Sequence, residues 1–441
     1  MEGKRILLRK LQTTLGARRR DERLINPPDP STIAQMVDFG SNDTLSLSTS
    51  GALTRSFLDQ LHQNENFILG STSTRIFEGT TQYLKDLETY LAQFHNAESA
   101  LFFNSGFDAN IALWSTIPQP GDFVLYDQYV HASIHDGMRN GRAKTVEFAH
   151  NDCTSFRHCL QGLRDQNPGI AGGSNLVFVA LESFYSMDGD EVPIHELLDI
   201  AKTILPKRNY IFSVDEAHSN GLLGPNGSGF VCHHGLEKEI GLRVHTFGKA
   251  LGSTGGIVPT SSVPDLDLTA LAVVLAEPTI KLTLINYARN IIFSTAPSFV
   301  TLAATKAAYG ILASEDGENR RRILQENIRH FQKTFLGHPQ WASIKKKGII
   351  HIPNEDNWNS ALNQSPIIPL VTLPNESTDL AKHMHQSKFW ANPVKYPIVP
   401  KGLDRVRISI HVDNTKKQIE DVIDVIMEWG TCRARLEVSR L

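Results

Sequence analysis

The sequence is poor in cysteine, in long apolar runs and in surplus charge. Its four cysteines, Cys153, Cys159, Cys232 and Cys432, contain no C-x-x-C pair. That excludes a disulfide scaffold and fits reduced thiols in an intracellular compartment. No apolar run approaches the ~18 residues that a membrane-spanning helix needs. The most apolar stretch, around Leu266 to Ala276, is short and carries Asp267. Lys and Arg number 44 against 47 Asp and Glu, a formal net charge of −3. A dedicated nucleic-acid binder is thereby excluded, since such proteins are basic. Cys232, His233 and His234 adjoin in what reads as a loop after a Gly-rich stretch. They have no second ligand pair at zinc spacing, so no metal is expected.

What is present is ordinary globular usage, 41% hydrophobic and 21% charged, which excludes a disordered or fibrous chain. The length, 441 residues, suggests two or three domains and allows a deep site between them. Ser99 to Phe103, Phe123 to Tyr126, Thr145 to Phe148, Leu176 to Leu181 and Tyr210 to Val214 read as strands. Between the last two, Ile194, Leu197, Leu198, Ala201 and Ile204 mark one helical face. Strand, helix, strand over this distance is a crossover unit of a mostly parallel sheet.

The last third differs. Pro366 to Val371 is one strand, and from Arg405 to His411 the apolar residues alternate, placing Arg405, Arg407, Ser409 and His411 on the other face. Thr415 and Gln418 form a capping box, followed by Ile419, Val422, Ile423, Ile426 and Met427 at helix spacing, with Gly430 as the expected stop. At the other terminus Leu7, Leu8, Leu11 and Leu15 share a helix with Lys4, Arg5, Arg9, Lys10 and Arg18 to Arg20. That pattern suits a transit peptide, which Glu2, Asp21 and Glu22 count against, or a helix docked on the protein's own body.

Asp215-Glu216-Ala217-His218 ends a strand. The same letters occur in helicases, but those need a phosphate loop, G-x-x-x-x-G-K-[ST]. Around Lys249 that loop fails, because Arg243 replaces its first Gly and Ala250 its Ser or Thr. Another chemistry fits. A pyridine ring that accepts electrons must keep its nitrogen protonated, so it needs a carboxylate beside it. It also needs a donor near its phenolic oxygen and a lysine to form a Schiff base. Asp215, His218 and Lys249 supply all three, the protein's contribution in an enzyme that uses pyridoxal 5′-phosphate (PLP). Strand-like residues precede Lys249, and Gly248, Gly252, Gly255 and Gly256 leave room for close backbone approach.

Thr246-Phe247-Gly248-Lys249-Ala250-Leu251-Gly252 resembles the Schiff-base segment of the α-oxoamine synthases, PLP enzymes of the aspartate-aminotransferase fold. The resemblance runs from about Phe39 to about Trp429, with motifs in family order. They include Ser41-Asn42-Asp43, Ser105-Gly106-Phe107-x-Ala109-Asn110, His131-Ala132-Ser133 and His150-Asn151-Asp152. Ser186-Met187-Asp188-Gly189-Asp190, Phe293-Ser294-Thr295 and Tyr396-Pro397-x-Val399-Pro400 complete the set.

The resemblance implies PLP fold type I: a large α/β domain with a mostly parallel seven-stranded sheet and a smaller α+β C-terminal domain. The expected division is an N-terminal arm (1–60), a PLP-binding large domain (61–300) and a small domain (301–441). Lys249 holds PLP and moves the Cα proton, Asp215 pairs the ring nitrogen, and His218 donates to the ring oxygen with Ser186 nearby. His131 stacks on the ring. Gly106, Phe107 and Thr246 meet the phosphate, which Ser294 and Thr295 reach from a neighbouring subunit, so a homodimer with a shared active site is implied. Arg407 holds the amino-acid carboxylate, a bidentate task that suits a guanidinium, and Asn42 lies near the same substrate. The implied reaction is decarboxylative condensation of an amino acid with an acyl-CoA.

Four positions depart from the family's usual residues: Thr44 for Tyr, Leu84 for His, Asn414 for His, and Thr72-Ser73 for Gly-Gly. Ser439-Arg440-Leu441 is a peroxisomal address of the S-K-L type. It implies an import receptor as partner and peroxisomal location, with the cytoplasm otherwise. Among the family's reactions the address favours L-alanine plus pimeloyl-CoA giving 8-amino-7-oxononanoate, CoA and CO2, in biotin biosynthesis. The alternative is a secondary-metabolite or sphinganine-type synthase using a longer acyl or polyketide thioester with alanine, serine or glycine. A catalytically dead scaffold would lack Lys249, and the segment before Phe39 is too short for a DNA-binding helix-turn-helix.

Overall fold

Short apolar, β-branched runs form the strands, and amphipathic segments between them form the crossovers. The computed structural model describes residues 2–20, 23–24, 27–253, 271–353, 355–358 and 364–438. The expected peroxisomal address, Ser439 to Leu441, lies outside the described residues. The central sheet contains β1 (Ser99–Phe103), β2 (Phe123–Asp127), β3 (Lys144–Phe148), β4 (Val177–Glu182), β5 (Tyr210–Asp215), β6 (Ile240–Thr246) and β7 (Ala272–Ala276). Its order is β1-β7-β6-β5-β4-β2-β3. Strands β2 to β6 pair parallel, and β7 runs antiparallel to β1 and β6.

Every residue of β4 is buried, as a strand covered on both faces requires. Leu197, Leu198 and Ala201 of helix Ile194–Ile204 belong to the core on one face. Leu113 and Trp114 of helix Gly106–Thr116, with Ile134 of helix Ala132–Asn140, belong to the core on the other. The sequence expectations contain no strand at β7, because five apolar residues carry no periodicity that separates a strand from a helix.

A second sheet holds β8 (Ile350–His351), β9 (Ile367–Thr372), β10 (Asn392–Val394) and β11 (Arg405–Ser409), ordered β10-β11-β9-β8 and antiparallel throughout. The capping box before the last helix forms: Gln418 N donates to Thr415 Oγ1 at 3.2 Å and Thr415 N to Gln418 Oε1 at 2.9 Å.

Three expectations are corrected. The last helix does not stop at Gly430 but runs Lys416–Val438. A Cβ at Gly430 would sit 2.8 Å from Ile344 Cδ1, so this glycine serves close helix packing. Both faces of β11, including the one that carries Arg405, Arg407 and Ser409, are buried. The N-terminal helix, Glu2–Arg20, has no buried residue, and Leu7, Leu8, Leu11 and Leu15 stay 46–55% exposed, so it is not docked on this chain's body. Cys232 lies in a helical turn, Phe230–His233, rather than in a loop, and is buried there.

Candidate active site

Parallel strands bring their C-terminal ends to one edge, the usual place for ligands in such sheets. Strand β5 ends on Asp215 and β6 on Thr246, with Lys249 just beyond. Strand β4 leads to Ser186, and register pairs Glu182 with Asp215. The loop after β4 is pressed against β9. Gly189 has φ +66°, and a Cβ there would lie 2.3 Å from Ile367 O.

Lys249 Nζ lies 3.1 Å from His218 Nε2. His218 is buried, and its imidazole is held well below the usual histidine range, first by burial and then by Lys249, Arg407 and His131. It is therefore neutral, able to accept from the amine and to donate from its other nitrogen.

Asp215 is 6% exposed. Its Oδ1 accepts from Ala217 N at 2.9 Å and its Oδ2 from Asn110 Nδ2 at 2.8 Å. One neutral donor on each oxygen keeps the carboxylate oriented and leaves acceptor capacity for a cationic partner. Asn110 Nδ2 also lies 3.0 Å from Ser133 Oγ, which is 2.7 Å from His131 Nδ1. His131 caps helix Ala132–Asn140 by accepting from Ser133 N. The Phe107 ring stands edge-on to it, centroids 6.2 Å apart.

A phosphate would meet the start of helix Gly106–Thr116. Ser105 caps this helix by accepting from Asp108 N at 2.9 Å, leaving the Gly106 and Phe107 amides as first-turn donors of the kind that bind anions. The Thr246 hydroxyl is buried with no hydrogen-bond partner among the described residues. An acidic anchor, a lysine, a helix start and an unsatisfied buried hydroxyl fit the needs of PLP.

Arg407 reaches across from β11. Its Nε donates to Ser186 O at 2.6 Å and its Nη2 to Asn42 Oδ1 at 2.9 Å. Both expected substrate residues thus meet, and Ser186 contributes its backbone to that contact. The neighbouring Arg405 donates to Met187 O at 3.1 Å and pairs with Asp188. Ser294 and Thr295 are not among these contacts. They line a small cleft with Arg75, Asn104 and Asp108, where Asn104 Nδ2 donates to Thr295 O at 3.1 Å.

The residues that depart from the family's pattern have separate environments. The Thr44 hydroxyl is buried without a partner among the described residues. Leu84 is a fully buried core residue. Asn414 accepts from His411 N at 2.8 Å and donates to Asp38 O at 3.1 Å. Thr72 has φ 54°, the left-handed region that favours the glycine usual there. Sequence reasoning assigned no role to Asn110 or Ser133. Their place inside quoted motifs was the available signal, but their contacts join two helices to a strand end and cannot be read from spacing.

The family pattern described as aminotransferase class I and II matches residues 34–426. An 8-amino-7-oxononanoate synthase of Emericella nidulans is 38% identical over 417 residues, 93% of this chain and 93% of that one. An aminoacyl transferase sphA of Byssochlamys spectabilis is 36% identical over 404 residues, 91% of this chain and 82% of its own. Among solved structures, an 8-amino-7-oxononanoate synthase from Francisella tularensis superposes with TM-score 0.64 at 26% identity, covering 91% of this chain and 99% of that one. A serine palmitoyltransferase from S. paucimobilis with bound PLP reaches TM-score 0.73 at 24% identity, over 90% of this chain and 88% of its own. The last likeness speaks to fold alone.

Proposed function

The chain belongs to the aminotransferase class I and II family, as a PLP-dependent α-oxoamine synthase, and we propose that it condenses L-alanine with pimeloyl-CoA. The products are 8-amino-7-oxononanoate, CoA and CO2, in biotin biosynthesis. The contact of Lys249 with neutral His218, with the oriented Asp215 at the end of the strand before it, carries the chemistry. The substrate reading is supported by similarity to the Emericella synthase, which extends over 93% of both chains.

When bound, PLP withdraws electrons from the amino acid so that its Cα proton can leave. Asp215, fixed by Asn110 and Ala217, would accept from the protonated ring nitrogen. Lys249, held beside neutral His218, would carry the Cα proton, and His218 would donate to the ring oxygen. Arg407 holds the substrate carboxylate, with Asn42 and Ser186 fixing the guanidinium. Proton transfer by a positioned group typically contributes about a hundred- to ten-thousand-fold.

A second reading, condensation with a longer acyl or polyketide thioester, has its own support. The sphA relative is 36% identical, and small, buried Thr44 stands where the family usually places Tyr. CoA release separates the two. Alanine with pimeloyl-CoA should turn over faster than alanine, serine or glycine with a long-chain acyl-CoA, and the reverse order rejects the biotin reading.

The shared-site homodimer is part of the same proposal, with Ser294 and Thr295 serving the partner's phosphate. Mixing inactive Lys249→Ala and Thr295→Ala chains should restore turnover, and no recovery argues against a shared site. Peroxisomal location through Ser439 to Leu441 is tested by deleting the three residues from a tagged protein. The tag should move to the cytosol, and an unchanged location rejects the address.

A further inference from the structure

Four side chains form a continuous hydrogen-bonded line beneath the site. Asn110 Nδ2 lies 2.8 Å from Asp215 Oδ2 and 3.0 Å from Ser133 Oγ, and Ser133 Oγ lies 2.7 Å from His131 Nδ1. The direction of every bond follows from chemistry. A carboxylate only accepts, so the Asn110 group facing Asp215 is its NH2. The second hydrogen of that NH2 goes to Ser133 Oγ. Ser133 N also donates to His131 Nδ1, at 3.2 Å, so Nδ1 carries no proton. The Ser133 hydroxyl, already accepting from Asn110, therefore donates to Nδ1. The ring proton is left on Nε2.

Asn110 is 2% exposed and Ser133 0%, so water does not compete at the two middle residues, while the His131 end is half-buried. Reversing any bond would set donor against donor or leave a buried group unsatisfied.

We infer that Asn110 and Ser133 are positioning residues that couple the carboxylate serving the PLP nitrogen to the imidazole lying on the PLP ring. They orient Asp215 and hold His131 neutral as its Nε2–H tautomer. A change at one end, in the charge or position of Asp215, is then felt at the other through the buried pair Asn110 and Ser133. The inference rests on the PLP reading but not on the identity of the amino acid or thioester.

The test uses histidine-15N NMR and PLP dissociation constants on the full-length, PLP-loaded protein, with His131→Phe identifying the His131 signals. The wild type should show the Nε2–H tautomer. Asn110→Leu should displace the His131 Nδ1 signal although it does not touch that ring. It should also weaken PLP by on the order of ten- to a hundredfold, the usual effect of losing a hydrogen bond to a charged group. In a Ser133→Ala background, Asn110→Leu should still weaken PLP but should no longer move the His131 signal. An unmoved His131 signal in Asn110→Leu, an Nδ1–H tautomer in the wild type, or unchanged PLP affinity overturns the inference. If Asn110→Leu does not fold, Ser133→Ala decides: a displaced Nδ1 signal supports the line and an unmoved one overturns it. Failure of the wild type to bind PLP overturns the cofactor reading itself, and this inference with it.

Discussion

Lys249 Nζ stands 3.1 Å from Nε2 of His218, joining the loop after β6 to the turn after β5. The pair sets one charge state against another. The amine helps to hold the buried imidazole neutral, and the imidazole offers a lone pair to the amine. In the proposed reaction, the base that moves the proton and the donor that supports the ring oxygen would therefore be neighbours.

Replacing Lys249 with Ala should lower turnover by at least about a hundred- to ten-thousand-fold, the usual contribution of a positioned proton-transfer group. The same variant removes a positive charge from beside His218. His218 should therefore accept a proton at higher pH than in the wild type, which histidine NMR of the PLP-free proteins reads directly.

Arg407→Lys keeps the charge but loses the planar fork that holds Asn42 and Ser186 together. The Michaelis constant for the amino acid should rise roughly tenfold or more, the scale of one lost charged hydrogen bond. That for the acyl-CoA should stay nearly constant. Steady-state kinetics with each substrate varied in turn distinguishes this from general damage.

Glu88 is a structural hub at the edge of the large sheet. Its Oε1 accepts from Arg75 Nη1 at 2.8 Å and from Phe102 N at 2.8 Å, and its Oε2 pairs with Lys281 at 2.8 Å. The Arg75 and Glu88 side chains are 5% and 4% exposed. Glu88→Ala leaves a buried guanidinium without its anion and should cost about 3–5 kcal/mol, seen as a lower denaturant midpoint. Glu88→Gln should cost less, because the amide oxygen still accepts.

His150 bridges Asp127 Oδ1 and Asp190 Oδ2, each at 2.8 Å. Burial opposes its charge, but hydrogen bonds donated to both carboxylates outweigh burial and push the imidazole from 6.5 up to about 10. A group whose pKa is raised on folding stabilises fully below its unfolded value and loses that contribution as pH climbs through its folded value. Stability should therefore fall between about pH 6.5 and pH 10, by on the order of a few kcal/mol from this residue. Denaturant titrations across that range should give a flatter profile for His150→Asn.

Much of this was legible in the chain itself. Ile194, Leu197, Leu198, Ala201 and Ile204 face the core as their spacing predicts, and the Thr415–Gln418 box caps its helix. Both are local patterns set by helix geometry, as is the placement of Asp215 at a strand end. The alternation of β11 was also legible, but not its burial. Periodicity separates two faces of a strand and does not say what covers each. The loop from Ser186 to Asp190 covers the arginine face, and that loop is far away in sequence. Gly430 misled for a similar reason, because its small size answers to Ile344 in another helix rather than to a helix end.

By itself, then, the sequence determined the residue types and their order: a carboxylate and an imidazole at one strand end, a lysine after the next strand, and a guanidinium on a later strand. Only the tertiary structure decided which groups meet. Asn110 reaches Asp215 from a different element of the chain, and Ser133 links that contact to His131. Such partners are selected by the direction of buried donors and acceptors, a condition satisfied in three dimensions and invisible to linear spacing.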